Sequence, residues 1–79
     1  MKAKVFVTYK PGVLDPQGQT VCQTLRDRGQ SSVKDVRIGK YIEFDLEDMS
    51  RPQAEALLTK ISDELLANPI IESYRIEVP

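Results

Sequence analysis

The sequence predicts a two-layer α+β fold in which a four-stranded antiparallel sheet carries two helices on one face. Four stretches alternate between apolar and polar residues with the period of two that half-buried strands show. Two further stretches carry apolar residues at helical spacing, and each begins with residues that favour a helix N-terminus. The order of these elements along the chain is βαββαβ.

The middle of the chain predicts a β-hairpin over residues 33–47, VKDVRIGKYIEFDLE. Apolar and charged residues alternate on both sides of Gly39, which predicts one apolar and one charged face. A two-residue turn would pair Arg37 with Ile42 and put a charge on the core face. The register therefore favours a three-residue connection, Gly39 to Tyr41, or a glycine bulge.

The first and last strands are expected at the two ends of the chain. Alternation runs from Lys2 to Lys10, with Phe6 on the outer face, and Pro11-Gly12 ends it. A similar alternation runs from Ile70 to Val78. The first strand presents small or β-branched residues to one side, Ala3, Val5 and Val7, and the last strand presents Tyr74, Ile76 and Val78.

The first helix is expected to begin at Asp15-Pro16, because aspartate caps free backbone N–H groups and proline suits the first helical position. We expect it to run to about Arg28, with Gly29 as its terminator. Its apolar stripe consists of Gly18, Val21, Cys22 and Leu25.

The second helix is predicted by a capping box, since Ser50 is followed three residues later by Gln53. Asn68-Pro69 is expected to end it. The apolar stripe of this helix consists of Ala54, Leu57, Leu58, Ile61 and Leu65. Two right-handed split crossovers then put both helices on one sheet face, as in ferredoxin-like folds, with the strand order 4-1-3-2 as the default and residues 1–79 as a single domain.

Composition excludes several classes of function. A net charge of -1 gives none of the basic excess that phosphate-backbone binding requires, so nucleic acid is not an expected partner. No apolar run approaches the roughly 20 residues that cross a bilayer, so a membrane is not expected either. The single Cys22 cannot form an internal disulfide, and no hydrophobic signal core follows Met1. A cytoplasmic location is therefore expected.

The residues that usually carry catalysis are missing or badly placed. The sequence has no histidine, which excludes Ser-His-Asp and Cys-His pairs. Cys22 lies on the predicted buried stripe and is expected to be a small hydrophobe rather than a nucleophile. We therefore expect no catalytic, cofactor-binding or metal-binding residue. The carboxylates that follow the glycine are expected to be solvated or interface charges rather than a metal site: Glu43, Asp45, Glu47 and Asp48.

Two segments together resemble the PurS family, the small subunit of phosphoribosylformylglycinamidine (FGAM) synthase in de novo purine biosynthesis. They are VFVTYKPGVLDPQG, Val5 to Gly18, and VKDVRIGKYIEFDLE, Val33 to Glu47. The likeness is most specific from Lys10 to Gly18 and from Asp35 to Ile42, in this order and spacing. Tyr9 departs from the pattern, which has leucine at that position.

The resemblance implies a non-catalytic adaptor in a three-part enzyme. A glutaminase subunit releases ammonia from glutamine, and a large ATP-dependent synthetase subunit uses it. The small subunit joins the two and supports ammonia transfer. The resemblance also implies self-association as a homodimer or tetramer. ATP and Mg²⁺ are then used by the partner synthetase subunit, and this chain is expected to bind no cofactor.

Partner contacts are expected from the loop Lys10 to Gly18 and the turn Arg37 to Tyr41, because loops carry contacts more often than framework does. The side chains expected to make them are Lys10, Arg37, Lys40 and Tyr41. The alternative function is a small-molecule-sensing regulatory domain of similar topology, which would bind an amino acid or nucleotide at a dimer interface.

Overall fold

The computed structural model describes residues 1–79 and has the expected α+β class with two α-helices. Its three strands form one antiparallel sheet in the order β2-β1-β3. A short π-helix follows the second α-helix directly. The elements are β1 Lys2–Tyr9, α1 Pro16–Asp27, β2 Lys40–Asp45, α2 Arg51–Ile61, the π-helix Ser62–Leu66, and β3 Glu72–Glu77.

The prediction of a four-stranded sheet with order 4-1-3-2 is confirmed in part: the predicted first, third and last strands lie in the order 4-1-3, whereas the predicted second strand is absent from the single chain. Residues 33–38 form no strand, and residues 34–39 make no backbone–backbone hydrogen bond. The hairpin connection from Gly39 to Tyr41 is wrong for the same reason, because Lys40 and Tyr41 already belong to β2 and pair with β1. Gly39 packs so closely on β1 that an added Cβ would lie 2.3 Å from the Val7 carbonyl oxygen. The chain therefore passes onto β1 instead of folding back along β2.

The core lies between one sheet face and α2. Alternation along β1 turns Ala3, Val5 and Val7 to this face, and Ala54 and Leu58 of α2 cover them; all five are buried. The neighbouring apolar side chains are only half-buried, because one helix covers a sheet face that was expected to carry two. These are Ile42, Phe44, Leu46, Leu66, Tyr74, Ile76 and Val78.

The capping box at the start of α2 is confirmed. The Gln53 backbone N–H donates to Ser50 Oγ at 3.3 Å, and the Ser50 N–H donates to Gln53 Oε1 at 3.1 Å. Both bonds join neighbouring residues, so the motif could be identified from sequence alone.

At the end of the second helix, the side chains that face the core differ from those of the predicted apolar stripe. The wider turn of the π-helix shifts the phase of the side chains after Ser62. Ser62 continues the buried face of Ala54 and Leu58 at a spacing of four residues. After it, Ala67 lies in the core, whereas Leu65, expected inside, is 80% exposed. The Ser62 hydroxyl is buried and has no hydrogen-bond partner.

Helix α1 has the predicted Asp15 cap and is followed by Gly29 in the left-handed region, at φ 90°. It does not share the sheet face with α2, so that prediction is wrong for the single chain. Instead α1 packs along residues 33–38 and makes no substantial contact with the sheet. We call residues 14–38 the arm. The chain measures 49 × 24 × 14 Å, and its radius of gyration of 15.9 Å exceeds the value of about 12 Å for a compact chain of this length.

We predict that Ser62→Ala raises the free energy of unfolding by about 1 kcal/mol, because it removes a buried hydroxyl without a partner. Alanine also has a better helix propensity than serine, by roughly 0.5 kcal/mol. Thr59→Ala, at an exposed position of α2, is the matched control for propensity. Urea denaturation at one fixed protein concentration measures both variants. If Ser62→Ala were no more stable than Thr59→Ala, the hydroxyl would carry no desolvation cost.

Candidate partner-contact site

Two of the expected contact residues, Lys10 and Lys40, reach the same end of the sheet. Lys10 Nζ donates to the Pro69 carbonyl at 2.6 Å, and Lys40 Nζ donates to the Leu66 carbonyl at 3.4 Å. Both lysines thus bind carbonyl groups at or just after the C-terminus of the π-helix, where backbone acceptors lack helical partners. The two ammonium groups are thus bound to the same turn.

Two exposed apolar side chains flank the same turn. Leu65 is 80% exposed and Ile70 is 82% exposed. Sequence analysis missed them as surface residues, because Leu65 fits the helical stripe and Ile70 fits the start of the last strand. No local signal indicates the π-helix that turns Leu65 outward. We call Lys10, Lys40, Leu65 and Ile70 the tip.

Tyr41 lies on the opposite sheet face, away from the core. Its ring stacks on Phe6 with centroids 5.1 Å apart, and the Arg75 guanidinium lies 4.3 Å from the Phe6 centroid on the other neighbouring strand. The outward position predicted for Phe6 is thereby confirmed. The Tyr41 hydroxyl donates to Glu43 at 2.8 Å, and this bond raises the pKa of Tyr41.

Arg37 lies at the base of the arm. Its guanidinium donates to the Val13 carbonyl at 3.0 Å and lies 4.0 Å from the Asp35 carboxylate. The four expected contact residues therefore do not form one cluster in the single chain. Lys10 and Lys40 share the tip, Tyr41 lies on the outer sheet face, and Arg37 belongs to the arm.

Asp15 is the residue that holds the arm together. Its side chain is 3% exposed; Oδ1 accepts the Gly18 N–H at 2.9 Å and Oδ2 accepts the Ile38 N–H at 2.8 Å. The Ile38 bond, followed by the Gly18 bond, holds the pKa of Asp15 below its usual value of 3.8. Sequence analysis found the cap but missed the bond to Ile38, since no local pattern links residues 23 positions apart.

Gly18 allows helix α1 to approach residues 33–38 closely. An added Cβ would lie 2.3 Å from the Val36 carbonyl oxygen and 2.6 Å from Asp15 Oδ2. Helix α1 and residues 33–38 can therefore touch only because position 18 has no side chain.

The chemistry available at these surfaces is that of binding. The low pKa of Asp15 keeps it ionised, the opposite of what a general acid near neutral pH requires. Cys22 is half-buried, and no cluster of three or more His, Cys, Asp or Glu residues could hold a metal.

The largest surface depression is an open groove of about 610 Å³ between α1 and residues 33–38, and it is mostly polar: Pro16, Gln19, Thr20, Cys22, Gln23, Arg26, Lys34 and Asp35. None of the helices has the length and apolar composition of a membrane span.

Comparison with known proteins identifies the family. The PurS family model, described as phosphoribosylformylglycinamidine (FGAM) synthase, matches residues 2–79. The chain belongs to the PurS family. The PurS subunit of FGAM synthase from Bacillus subtilis (strain 168) is 46% identical over 77 residues, which cover 98% of this chain and 90% of that one. The corresponding Archaeoglobus fulgidus subunit is 40% identical over 76 residues, covering 96% and 95% of the two chains.

Solved PurS structures share the fold over nearly the whole length. Bacillus subtilis PurS superposes with a TM-score of 0.88 at 45% identity, covering 99% of this chain and 96% of that one. Methanocaldococcus jannaschii PurS gives a TM-score of 0.89 at 35% identity, covering 99% and 94%. A chain of PurLQS from Thermotoga maritima gives 0.86 at 34% identity, covering 96% and 93%. The function expected from the resemblance, a PurS subunit of FGAM synthase in purine biosynthesis, is confirmed.

The low pKa of Asp15 predicts a pH-dependent stability. A carboxylate whose pKa is lowered by folding stabilises the folded state above its unfolded value of 3.8, and this contribution is lost as the pH falls through the folded value. We expect wild type to be more stable than Asp15→Asn near neutral pH, with the difference shrinking as the pH falls below about 3.8.

Urea denaturation of both proteins along a pH series measures this difference. Asp35→Asn is the matched control, because it removes an exposed carboxylate from the same arm. A gap between wild type and Asp15→Asn that stayed constant at all pH values would contradict the assigned role of the ionised carboxylate.

Proposed function

We propose that this chain is the non-catalytic small subunit that joins the synthetase and glutaminase subunits of FGAM synthase and supports ammonia transfer between them. The observation that carries this proposal is the family match over residues 2–79 in a chain that has no histidine. The similarity to a chain of PurLQS from Thermotoga maritima supports assembly with other subunits. ATP and Mg²⁺ are then bound by the synthetase subunit, and the complex is expected in the cytoplasm.

The tip is the contact surface favoured for a partner subunit. It combines two exposed aliphatic side chains with the ammonium groups of Lys10 and Lys40, and apolar contacts ringed by polar groups are typical of interface cores. Arg37 and Tyr41 complete the proposed set of contact residues, each on a separate surface of the single chain. They are suited to contacts with a different subunit or with a second copy.

We further propose that two copies of the chain associate by exchanging their arms. In an extended chain, successive residues present their N–H and C=O groups to opposite edges. The Ile38 N–H and the Val36 carbonyl face α1, through Asp15 and Gly18 respectively. Over residues 35–38, the edge that carries the backbone groups of Asp35 and Arg37 makes no backbone hydrogen bond and is left free to pair, whereas the Val33 carbonyl faces α1 and lies outside this stretch.

Strand β2 offers the matching edge. In the order β2-β1-β3 it pairs with β1 on one side only. The alternation around Gly39 indicates that residues 33–38 suit a position beside β2. They do not occupy this position in their own chain, because the chain passes onto β1 at Gly39. A second copy can supply this strand and complete a four-stranded sheet in trans.

The apolar surfaces of the arm and the sheet support the same exchange. Val21 on α1 is 39% exposed and lies with Pro16 and Ile38 in a shallow, mostly apolar depression. On the sheet, Ile42 and Phe44 are only half-buried. If the arm of a second copy lay beside α2, both surfaces would leave water. Because each chain gives and receives an arm, the assembly closes as a two-fold dimer.

The adaptor role is tested by reconstituting the synthetase and glutaminase subunits with and without this chain. We expect omission to abolish glutamine-dependent turnover and to leave ammonia-dependent turnover at its original rate, because only the former needs both sites coupled. If omitting this chain lowered neither the glutamine-dependent nor the ammonia-dependent rate, the proposed function would be contradicted.

The contact residues are tested in the same assay. Arg37→Ala combined with Lys40→Ala should lower glutamine-dependent turnover and the mass of the complex, while far-UV circular dichroism stays unchanged. Lys2→Ala combined with Lys60→Ala removes two exposed cations outside the arm and the contact set, and is the matched control. If the Arg37 and Lys40 variant had unchanged turnover and complex mass, these two residues would be excluded as interface contacts.

Arm exchange predicts that Val21→Asp weakens self-association roughly ten-fold or more, because an unpaired carboxylate would be buried between the two copies. Thr24→Asp puts the same charge on another exposed α1 position and should have a much smaller effect. Sedimentation equilibrium measures both dissociation constants. Equal dissociation constants for the two variants would contradict burial of the Val21 face.

A further inference from the structure

We infer that Asp15 is the positioning residue of the arm, whose single buried carboxylate fixes residues 33–38 to helix α1 so that both reach a second copy as one preformed unit. This inference rests on the arm exchange proposed above. Asp15 has no place among the expected partner contacts, because its carboxylate is enclosed by its own arm.

The geometry separates two functions of the same carboxylate. Oδ1 accepts the Gly18 N–H at 2.9 Å and caps α1, whereas Oδ2 accepts the Ile38 N–H at 2.8 Å and anchors the end of residues 33–38. The first bond is local to the helix. The second crosses 23 residues and joins the two parts of the arm.

The other links between the two parts are weaker. Arg26 Nε donates to the Val33 carbonyl at 3.0 Å, but the long guanidinium side chain is exposed. Cys22 Sγ lies 4.0 Å from the same carbonyl, the limit for a sulfur hydrogen bond. Both act at Val33. At the other end of the segment the Arg37 guanidinium donates to the Val13 carbonyl, which precedes the arm, so Asp15 provides the one side-chain link there that joins the segment to the start of α1.

The position of Ile38 decides the register of the exchanged strand. Residues 34–39 have no backbone ladder of their own, so a loose segment would have to be ordered as it binds, at a cost in conformational entropy for each residue. The Asp15 bond fixes the segment beforehand, one residue before Gly39 and two before β2 begins. A segment already aligned with α1 presents its free edge in one register.

Two substitutions isolate this bond from the helix cap. Asp15→Ser keeps a good N-cap residue for Gly18 but is too short to reach Ile38. Asp15→Asn also keeps a capping oxygen, but it turns an amide that cannot accept toward the Ile38 N–H. Asp27→Asn is the matched control, since it removes an exposed carboxylate from the same arm outside residues 33–38.

The measurements are the dimer dissociation constant, by sedimentation equilibrium of the full chain, and amide hydrogen exchange. We expect both Asp15 variants to raise the dissociation constant roughly ten-fold or more, and Asp27→Asn to change it little. In the Asp15 variants the Ile38 amide should exchange faster while β1 amides stay protected. This combination separates loss of positioning from general unfolding.

Three outcomes would overturn the inference. Dissociation constants equal to wild type in both variants, with a rapidly exchanging Ile38 amide, would show that the bond does not govern association. Loss of β1 protection in both variants would show a role in global folding. A wild-type chain that stayed monomeric at all concentrations would refute the arm exchange itself. This result differs from one in which the wild type dimerises and only the role assigned to Asp15 is refuted.

Discussion

Backbone N–H and C=O groups must find hydrogen-bond partners, and in this chain residues 34–39 find almost none in the backbone. The rest of the architecture depends on this one unmet requirement. Because residues 33–38 do not pair with β2, the second edge of the sheet stays open. Because α1 packs on these residues, it is drawn away from the sheet, and half of the apolar sheet face has no helix over it. The elongated shape follows directly.

A chain built this way has little core of its own. Only 9 of its 79 residues are buried, and small domains already lie near the limit of independent stability. A larger share of the stabilising apolar burial must therefore come from other chains. This suits a subunit whose contribution is the set of surfaces it brings together. The exposed Leu65 and Ile70 of the tip lie outside the arm, so one copy can contact a different subunit while it exchanges its arm.

The sequence predicts most reliably those features that depend on neighbouring residues. The caps at Asp15 and Ser50 were predicted correctly, because each motif lies within four residues of the chain. The hairpin failed because alternation identifies a segment that suits a sheet without identifying its partner strand. Leu65 was misplaced because the π-helix changes the side-chain phase without a sequence signal. The bond from Asp15 to Ile38 depends on tertiary structure and could not be predicted.

Gly18 limits how this protein can be modified. A glycine inside a helix is the usual target for replacement by alanine, which normally raises stability by restricting the unfolded chain. Here the added methyl group would lie 2.3 Å from the Val36 carbonyl oxygen, so it would push residues 33–38 away from helix α1. A substitution chosen to strengthen the helix would separate the two parts of the arm. In this chain a gain in helix propensity at position 18 would be accompanied by weaker self-association. Thermostability design should therefore leave position 18 unchanged.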